Sequence, residues 1–111
     1  MTINQLIDSG KFSVLNLGID LQRIISKPFC CDLLSVAMGK ASINCAWITV
    51  MGNINTLAIA SLADVACIIL AEGSVLDDVA TLKAKTEGIT VLFTEEPIFE
   101  SALLISEMLN D

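Results

Sequence analysis

Apolar and polar positions follow two alternating periods in the second half of the chain. Three largely apolar runs have the length and composition of strands: Ala46 to Met51, Ala66 to Leu70 and Ile89 to Phe93. Helical patterns follow them in turn: Ile54 to Ala63, Leu76 to Thr86 and Pro97 to Leu109. Strands that alternate with helices are typical of crossover connections in a parallel sheet buried on both faces. The predicted fold class is α/β, a three-layer-like domain in which helices flank a mainly parallel sheet.

The first half of the chain carries weaker signals. A capping box opens a short helix at Thr2, and Phe12 to Leu17 alternates with the period of a strand. Phe29 to Cys31 is predicted to be extended, because the preceding proline disfavours helix before it. Asp32 is predicted to cap a short helix that Gly39 closes. Together with the second half, these segments form one predicted domain over residues 1–111.

The apolar content is high for so short a chain. Of the 111 residues, 54% are hydrophobic and only 17% are charged. A small domain has much surface for its volume, so one copy cannot hide all of this apolar material. The segment Ile54 to Ala63 is apolar on nearly every side, which predicts a buried helix. We therefore expect a homodimer, or a surface that binds another protein.

Hydropathy and charge exclude two classes of partner. The longest apolar stretch, Leu57 to Ala71, contains Asp64 and falls short of the roughly 20 residues that cross a bilayer. The N-terminal residues have neither the basic cluster nor the apolar core of a signal peptide. No membrane association is expected, and the expected location is cytoplasmic. The formal net charge of −7 opposes binding to phosphate backbones, so no nucleic-acid partner is expected either.

The residue inventory is unfavourable for catalysis. No histidine is present, which removes the usual general base of serine and cysteine nucleophiles. Gly39-Lys40 is not part of a phosphate-binding loop, because Leu34 stands where a glycine is needed and Ala41 follows where Ser or Thr is needed. The four cysteines contain no C-x-x-C pair. No catalytic residue, no metal site and no cofactor are predicted, and the chain is not expected to be an enzyme.

The end of the first buried strand is the best candidate for a ligand site. Ligands of open parallel sheets collect beyond the carboxyl ends of the strands. Gly52 allows close approach of the backbone there, and the helix that follows offers free N–H donors to a phosphate or carboxylate. Asn53 and Asn55 add side-chain amides. In the alternative interpretation, Asn53 simply caps the helix.

Three cations in the first half form a second candidate. Residues 1–55 hold four cations, among them Arg23, Lys27 and Lys40, and three acids, whereas residues 56–111 hold two cations and ten acids. If the fold gathers the three cations, they would attract an anion. In the alternative interpretation, they are ordinary surface residues.

Four segments follow one another with regular spacing: Asp32 to Ala41, Ala46 to Met51, Ala60 to Ala66 and Ile68 to Gly73. They resemble the DRTGG domain, and more narrowly its free-standing single-domain members in anaerobic bacteria. The resemblance covers nearly the whole chain. The resemblance implies an accessory domain and not a catalyst. In that family the domain is fused to HPr kinase/phosphorylase, to phosphotransacetylases and to CBS-containing pyrophosphatases, where paired copies help to hold adenine nucleotides at a dimer interface.

The stretch that corresponds to the family's Asp-Arg-Thr-Gly-Gly signature departs from it. This stretch is Gln22 to Pro28. Arg23 matches, Gln22 replaces the acid, and Ser26 stands for the threonine. Lys27-Pro28 replaces the two glycines, which would permit turns that lysine and proline resist.

Two hypotheses follow for the function. In the first, the chain is a non-catalytic, homodimeric regulatory domain that senses an adenine nucleotide or another small anion. The ligand would bind near Gly52 to Asn55 and the loop of Arg23, with Ser26 and Lys40 as further contacts. In the second, it is an interaction module that binds a metabolic partner enzyme and takes no small ligand.

Overall fold

A computed structural model describes residues 1–110, with five strands and five helices in this part of the chain. The strands are β1 (Ser13–Asn16), β2 (Pro28–Cys30), β3 (Ala46–Thr49), β4 (Cys67–Leu70) and β5 (Thr90–Phe93). The helices are α1 (Ile3–Asp8), α2 (Leu34–Lys40), α3 (Ile54–Ala63), α4 (Asp78–Glu87) and α5 (Ile98–Leu109).

The strands form one sheet in the order β1-β5-β4-β3-β2. Strands β2, β3, β4 and β5 are parallel, and β1 pairs antiparallel with β5 at one edge. The register places Trp47 beside Ile68 and Ile68 beside Val91. The sheet is therefore mainly parallel, and the predicted α/β fold class is confirmed.

Alternate residues of the central strands enter two separate cores, one on each face of the sheet. On one face, Ile48, Ile69 and Leu92 pack in a cluster with residues of α1 and α5, among them Ile105. On the other face, Trp47, Ile68 and Val91 pack with these residues of α2, α3 and α4: Ala37, Leu57, Ile59, Ala60, Ala80 and Ala84. Because β3 and β4 are buried on both faces, nearly all of their residues are apolar. The result is three layers, with the sheet in the middle.

The segment before β3 differs from the expectation in two ways. Asp32 does not cap α2, which begins at Leu34 without a side-chain cap. Its carboxylate instead accepts hydrogen bonds from the Thr49 hydroxyl at 2.6 Å and from the Val50 N–H at 3.0 Å. The Asp32 carboxylate thus bonds to groups at the end of β3 and not to the N–H groups at the start of α2. Gly39 lies inside α2 and does not close it. The capping box at Thr2 is confirmed.

Helix α3 has the predicted bounds but is not buried on every side. Thr56, Leu57 and Ala60 are buried, whereas Ile54 is 41% exposed and Leu62 is 76% exposed. The helix is too short to pass through a bilayer, and no other helix in residues 1–110 combines the length and apolar character that a membrane span needs.

Candidate functional site

The structure places the candidate residues at opposite edges of the sheet. Gly52 and Asn53 follow β3 and lie at its carboxyl edge, where α3 begins. Arg23 and Ser26 instead bond to the turn that precedes β3, so they lie at the amino edge. Lys40 ends α2, one short loop before β3, and therefore belongs to the amino edge as well. A single site that joins Gly52 to Asn55 with the Arg23 loop does not form.

At the carboxyl edge, Gly52 packs against its own chain. The Val75 carbonyl lies directly over it, and a Cβ added at Gly52 would overlap the carbonyl oxygen and lie 2.9 Å from the carbonyl carbon. The Gly52 carbonyl accepts a hydrogen bond from the Asp77 N–H at 3.2 Å. The close backbone approach predicted for a ligand is thus made by the loop before α4.

Asn53 acts as the cap of α3. Its Oδ1 accepts from the N–H groups of Asn55 at 3.0 Å and of Thr56 at 3.1 Å. Two of the amides that an anion would use are therefore engaged, and the side chain of Asn55 points to solvent from an exposed position. Six exposed carboxylates also follow the strands at this edge: Asp32, Glu72, Asp77, Asp78, Glu95 and Glu96. Their charge opposes an anionic ligand here.

At the amino edge, Arg23 links two tight turns. Its Nε donates to Asn44 Oδ1 at 2.6 Å, and its Nη2 donates to the Asp64 carboxylate at 2.8 Å and also to the Asp64 carbonyl. Asn44 and Asp64 precede β3 and β4, and both have left-handed backbone with φ of 65° and 58°. Asn and Asp tolerate this conformation better than most residues. The guanidinium thus holds together the turns that precede two central strands. It makes three hydrogen bonds to residues of its own chain.

A cleft of about 210 Å³ opens beside Arg23. It lies between the loop after β1 and the ends of α3 and α4, and its polar lining residues include Ser61 and the three acids Asp20, Asp64 and Glu87. Ile19 forms an apolar wall and is itself 91% exposed. The cleft suits a small flat or polar group with an apolar side, and it is smaller than the 300–1,000 Å³ typical of drug-sized ligands.

Two further cations, Lys27 and Lys40, lie near this edge and form no ion pair in the described part of the chain. The ion pairs found among residues 1–110 are Arg23–Asp64 and Lys83–Glu87. Lys27 and Lys40 belong to neither, and both are exposed. Ser26 lies between Arg23 and Lys27 and donates its hydroxyl to the Ile43 carbonyl at 3.1 Å. The amino edge therefore has two exposed lysines and the cleft, but neither lysine lines the cleft.

Three of the four cysteines have thiols that are not activated. Burial raises the pKa of Cys67 to about 12, and burial is also the main cause that raises the pKa of Cys45. At Cys30, burial and then the neighbouring Asp32 carboxylate raise the pKa of the thiol. These three thiols stay protonated near neutral pH, which makes them poor nucleophiles. Within the described residues, no cluster of three or more Cys, Asp or Glu has the arrangement of a metal site.

Several contacts around the cleft could not be predicted from the sequence. Asp64 is 41 positions from Arg23, and Asn44 is 21 positions from it, so no local spacing announces their contact. No role was predicted for Ile19. Arg23 is the residue of the cleft lining that was also a predicted site residue.

Comparison with known proteins gives a structural likeness and no sequence match. No model of a known protein family matches the chain, and no curated protein matches it significantly. One similar solved structure contains the CBS and DRTGG domains of the regulatory region of Clostridium perfringens pyrophosphatase, complexed with the activator diadenosine tetraphosphate. The two share a fold. The TM-score is 0.76 at 17% identity, over 95% of this chain and 46% of that chain. The likeness supports a DRTGG-type fold, and this chain spans less than half of the regulatory region.

Proposed function

We propose that this chain is a regulatory domain that senses an anionic ligand as a homodimer, with an adenine nucleotide as the first candidate. The observation that carries the proposal is the fold shared over 95% of the chain with a regulatory region complexed with diadenosine tetraphosphate. A regulatory role also agrees with a residue inventory that lacks the usual catalytic base.

The ligand is proposed to bind at the amino edge of the sheet. Lys27 and Lys40, which lie outside the cleft, supply charge for the phosphate groups. The cleft beside Arg23 is lined by the acids Asp20, Asp64 and Glu87 and by the apolar wall of Ile19, so it is proposed to hold the uncharged part of the nucleotide. The carboxyl edge is the less favourable place for the phosphate groups, because six exposed acids follow the strands there and Asn53 already caps the helix. Asn55 is the carboxyl-edge candidate that remains exposed.

Thermal unfolding with and without nucleotide tests the proposal. ATP, ADP, AMP and diadenosine tetraphosphate are each added to the purified chain, and titration calorimetry gives the affinity. A ligand at 100 times its dissociation constant adds about 2.7 kcal/mol to the free energy of unfolding. Lys27→Glu combined with Lys40→Glu should weaken binding at least tenfold. The control is Lys11→Glu, which makes the same charge reversal at the carboxyl edge and should weaken binding less than Lys27→Glu or Lys40→Glu alone.

Two outcomes separate this proposal from its alternatives. If Asn55→Asp abolishes binding and the lysine variants do not, the ligand binds at the carboxyl edge. If none of the four nucleotides raises the melting temperature, nucleotide sensing is wrong. That result would favour an interaction module for a metabolic partner enzyme, for which the exposed side chains of Leu62, at 76%, and Leu82, at 67%, provide an apolar contact.

A further inference from the structure

Helices α3 and α4 present an apolar outer surface that no other part of residues 1–110 covers. On α3, Ile54, Ala58 and Leu62 recur every four residues and are exposed, and the outer face of this helix carries no charge. On α4, Leu82 is the centre of the exposed side and is 67% exposed, with Val79 beside it at 60%. We call the exposed residues of these two helices the α3/α4 face. A helix that is apolar on all sides normally has its outer side covered.

The two helices are matched in length, direction and level. Each has ten residues, each starts beyond the carboxyl edge of the sheet, and each returns to the amino edge. They pack side by side, and both follow parallel strands, so they run in the same direction. Ala58 and Leu82 are the fifth residues of their helices and therefore stand at about the same height.

We propose that a second copy of this chain covers the α3/α4 face across a two-fold axis that passes the helices at the level of Ala58 and Leu82. The axis lies in the plane of the interface and perpendicular to the helices, so each helix meets its own copy in the antiparallel direction. Such an isologous contact is the commonest arrangement of soluble homodimers. This inference adopts the homodimer of the proposed function and assigns its surface.

Antiparallel pairing of α3 with its copy brings apolar side chains into contact with apolar side chains. Ile54 and Leu62 stand four residues before and four residues after Ala58, so Ile54 faces Leu62 of the partner subunit. The small side chain of Ala58 lies at the crossing point, where it permits close approach of the two helices. The contact contains four large apolar side chains and no charge.

Antiparallel pairing of α4 brings opposite charges together. Asp78 stands four residues before Leu82 and Lys85 stands three residues after it, and both are exposed on the same side of the helix as Leu82. Reversal about Leu82 therefore places Asp78 opposite Lys85 of the partner subunit, and the symmetry makes this pair twice. Parallel pairing would instead place Asp78 against the same residue of the partner subunit.

The overall charge points to this face as well. Two copies that each carry a net charge of −7 repel one another unless they meet at a neutral surface. The α3 part of the face is uncharged. On α4, Asp78 and Lys85 balance, and Glu87 is paired with Lys83 of the same helix. A second copy matches this pattern of apolar centre and alternating charge, which is why we commit to it as the occupant.

Sedimentation velocity over a range of protein concentrations tests the inference. Leu82→Glu places two like charges at the axis and should abolish the dimer. Asp78→Lys alone and Lys85→Asp alone should each weaken dimerisation about tenfold, since each replaces two attractive pairs by two repulsive ones. The double variant Asp78→Lys with Lys85→Asp restores the pairing and should return to within about threefold of the wild-type dissociation constant. Circular dichroism of each variant verifies that it is folded.

The matched control is Glu107→Lys, which changes the charge as Asp78→Lys does but lies on α5, beyond the other face of the sheet. It should leave the dissociation constant unchanged. A dimer that none of the α4 variants affects would overturn the surface assignment and leave the homodimer itself intact. A monomer at every concentration would overturn the inference together with the homodimer, and would leave the face to a different protein. Nucleotide binding is judged separately, by the thermal shifts described above.

Discussion

Gly52→Ala is the substitution whose effect the structure specifies most sharply. Gly52 was a candidate for close contact with a ligand, yet its close neighbour is the Val75 carbonyl. A Cβ at this position would overlap the carbonyl oxygen and lie 2.9 Å from the carbonyl carbon, and real Cβ contacts below 3.0 Å are essentially never found. Because the obstacle is backbone, it cannot rotate away. The loop between β4 and α4 must move instead.

The cost has three parts. Forcing an extra methyl group into a packed position costs about 1–3 kcal/mol. Movement of the loop also strains the hydrogen bond from the Asp77 N–H to the Gly52 carbonyl, which is worth about 1 kcal/mol. Alanine also lowers the conformational entropy of the unfolded chain, which offsets the loss of stability by about 0.4–1 kcal/mol. The net loss in the free energy of unfolding is therefore about 1–3.5 kcal/mol, and a loss near the middle of this range corresponds to a fall of about 10 °C in the melting temperature.

The same substitution at Gly39 is the matched control. Gly39 lies inside α2, and a Cβ there would meet nothing within 4 Å. Alanine favours helix over glycine, so Gly39→Ala should raise the free energy of unfolding by about 0.5–1 kcal/mol. Urea unfolding of both variants beside the wild type measures the two values. If Gly52→Ala lies within 0.5 kcal/mol of the wild type, the contact with Val75 is not tight and the reasoning fails.

Three other predictions concern the stability of named contacts. Arg23→Ala removes the bonds to Asn44 and Asp64 and should cost about 2 kcal/mol in urea unfolding; additivity with Asp64→Ala in a double-mutant cycle would contradict a direct coupling. Asn53→Ala should cost about 1 kcal/mol through the lost cap, and Asn53→Asp should not. Burial raises the pKa of Cys67 from 9.0 to about 12, so the unfolded chain ionises first as pH rises. The free energy of unfolding should then fall above pH 9, by up to about 1.4 kcal/mol per pH unit, and a slope that Cys67→Ala leaves unchanged would refute this cause.

Burial explains why the central elements could be predicted from sequence. Strands β3 and β4 are covered on both faces, so their residues had to be apolar, and the run that contains Ile68 is continuous for that reason. Helix α3 was predicted with its observed bounds, because Asn53 caps it and the chain turns at Asp64. In these segments the pattern and the local capping residues indicate the same structure.

Long-range contacts explain why other features could not be predicted. Asp32 has the position of a helix cap, but its carboxylate instead accepts hydrogen bonds from the Thr49 hydroxyl and the Val50 N–H at the end of β3. Which edge of the sheet the Arg23 loop crosses depends on its bonds to Asn44 and Asp64, far along the sequence. The local pattern of apolar and polar residues holds no information about these long-range contacts. The sequence could therefore not show that Gly52 to Asn55 and the Arg23 loop lie at opposite edges of the sheet.

The path of the segment from Gln22 to Pro28 shows why it tolerates the loss of the glycine pair. The left-handed residues other than glycine in the described chain are Asn44, Asp64 and Glu72, so this segment needs no glycine for its own conformation. Pro28 begins the edge strand β2, where a residue without an N–H is accommodated. The N–H of Ser26 is already engaged by the turn before β3. Little free backbone is left in this loop to cradle an anion, and any recognition there has to come from side chains, chiefly Lys27 beside the braced Arg23.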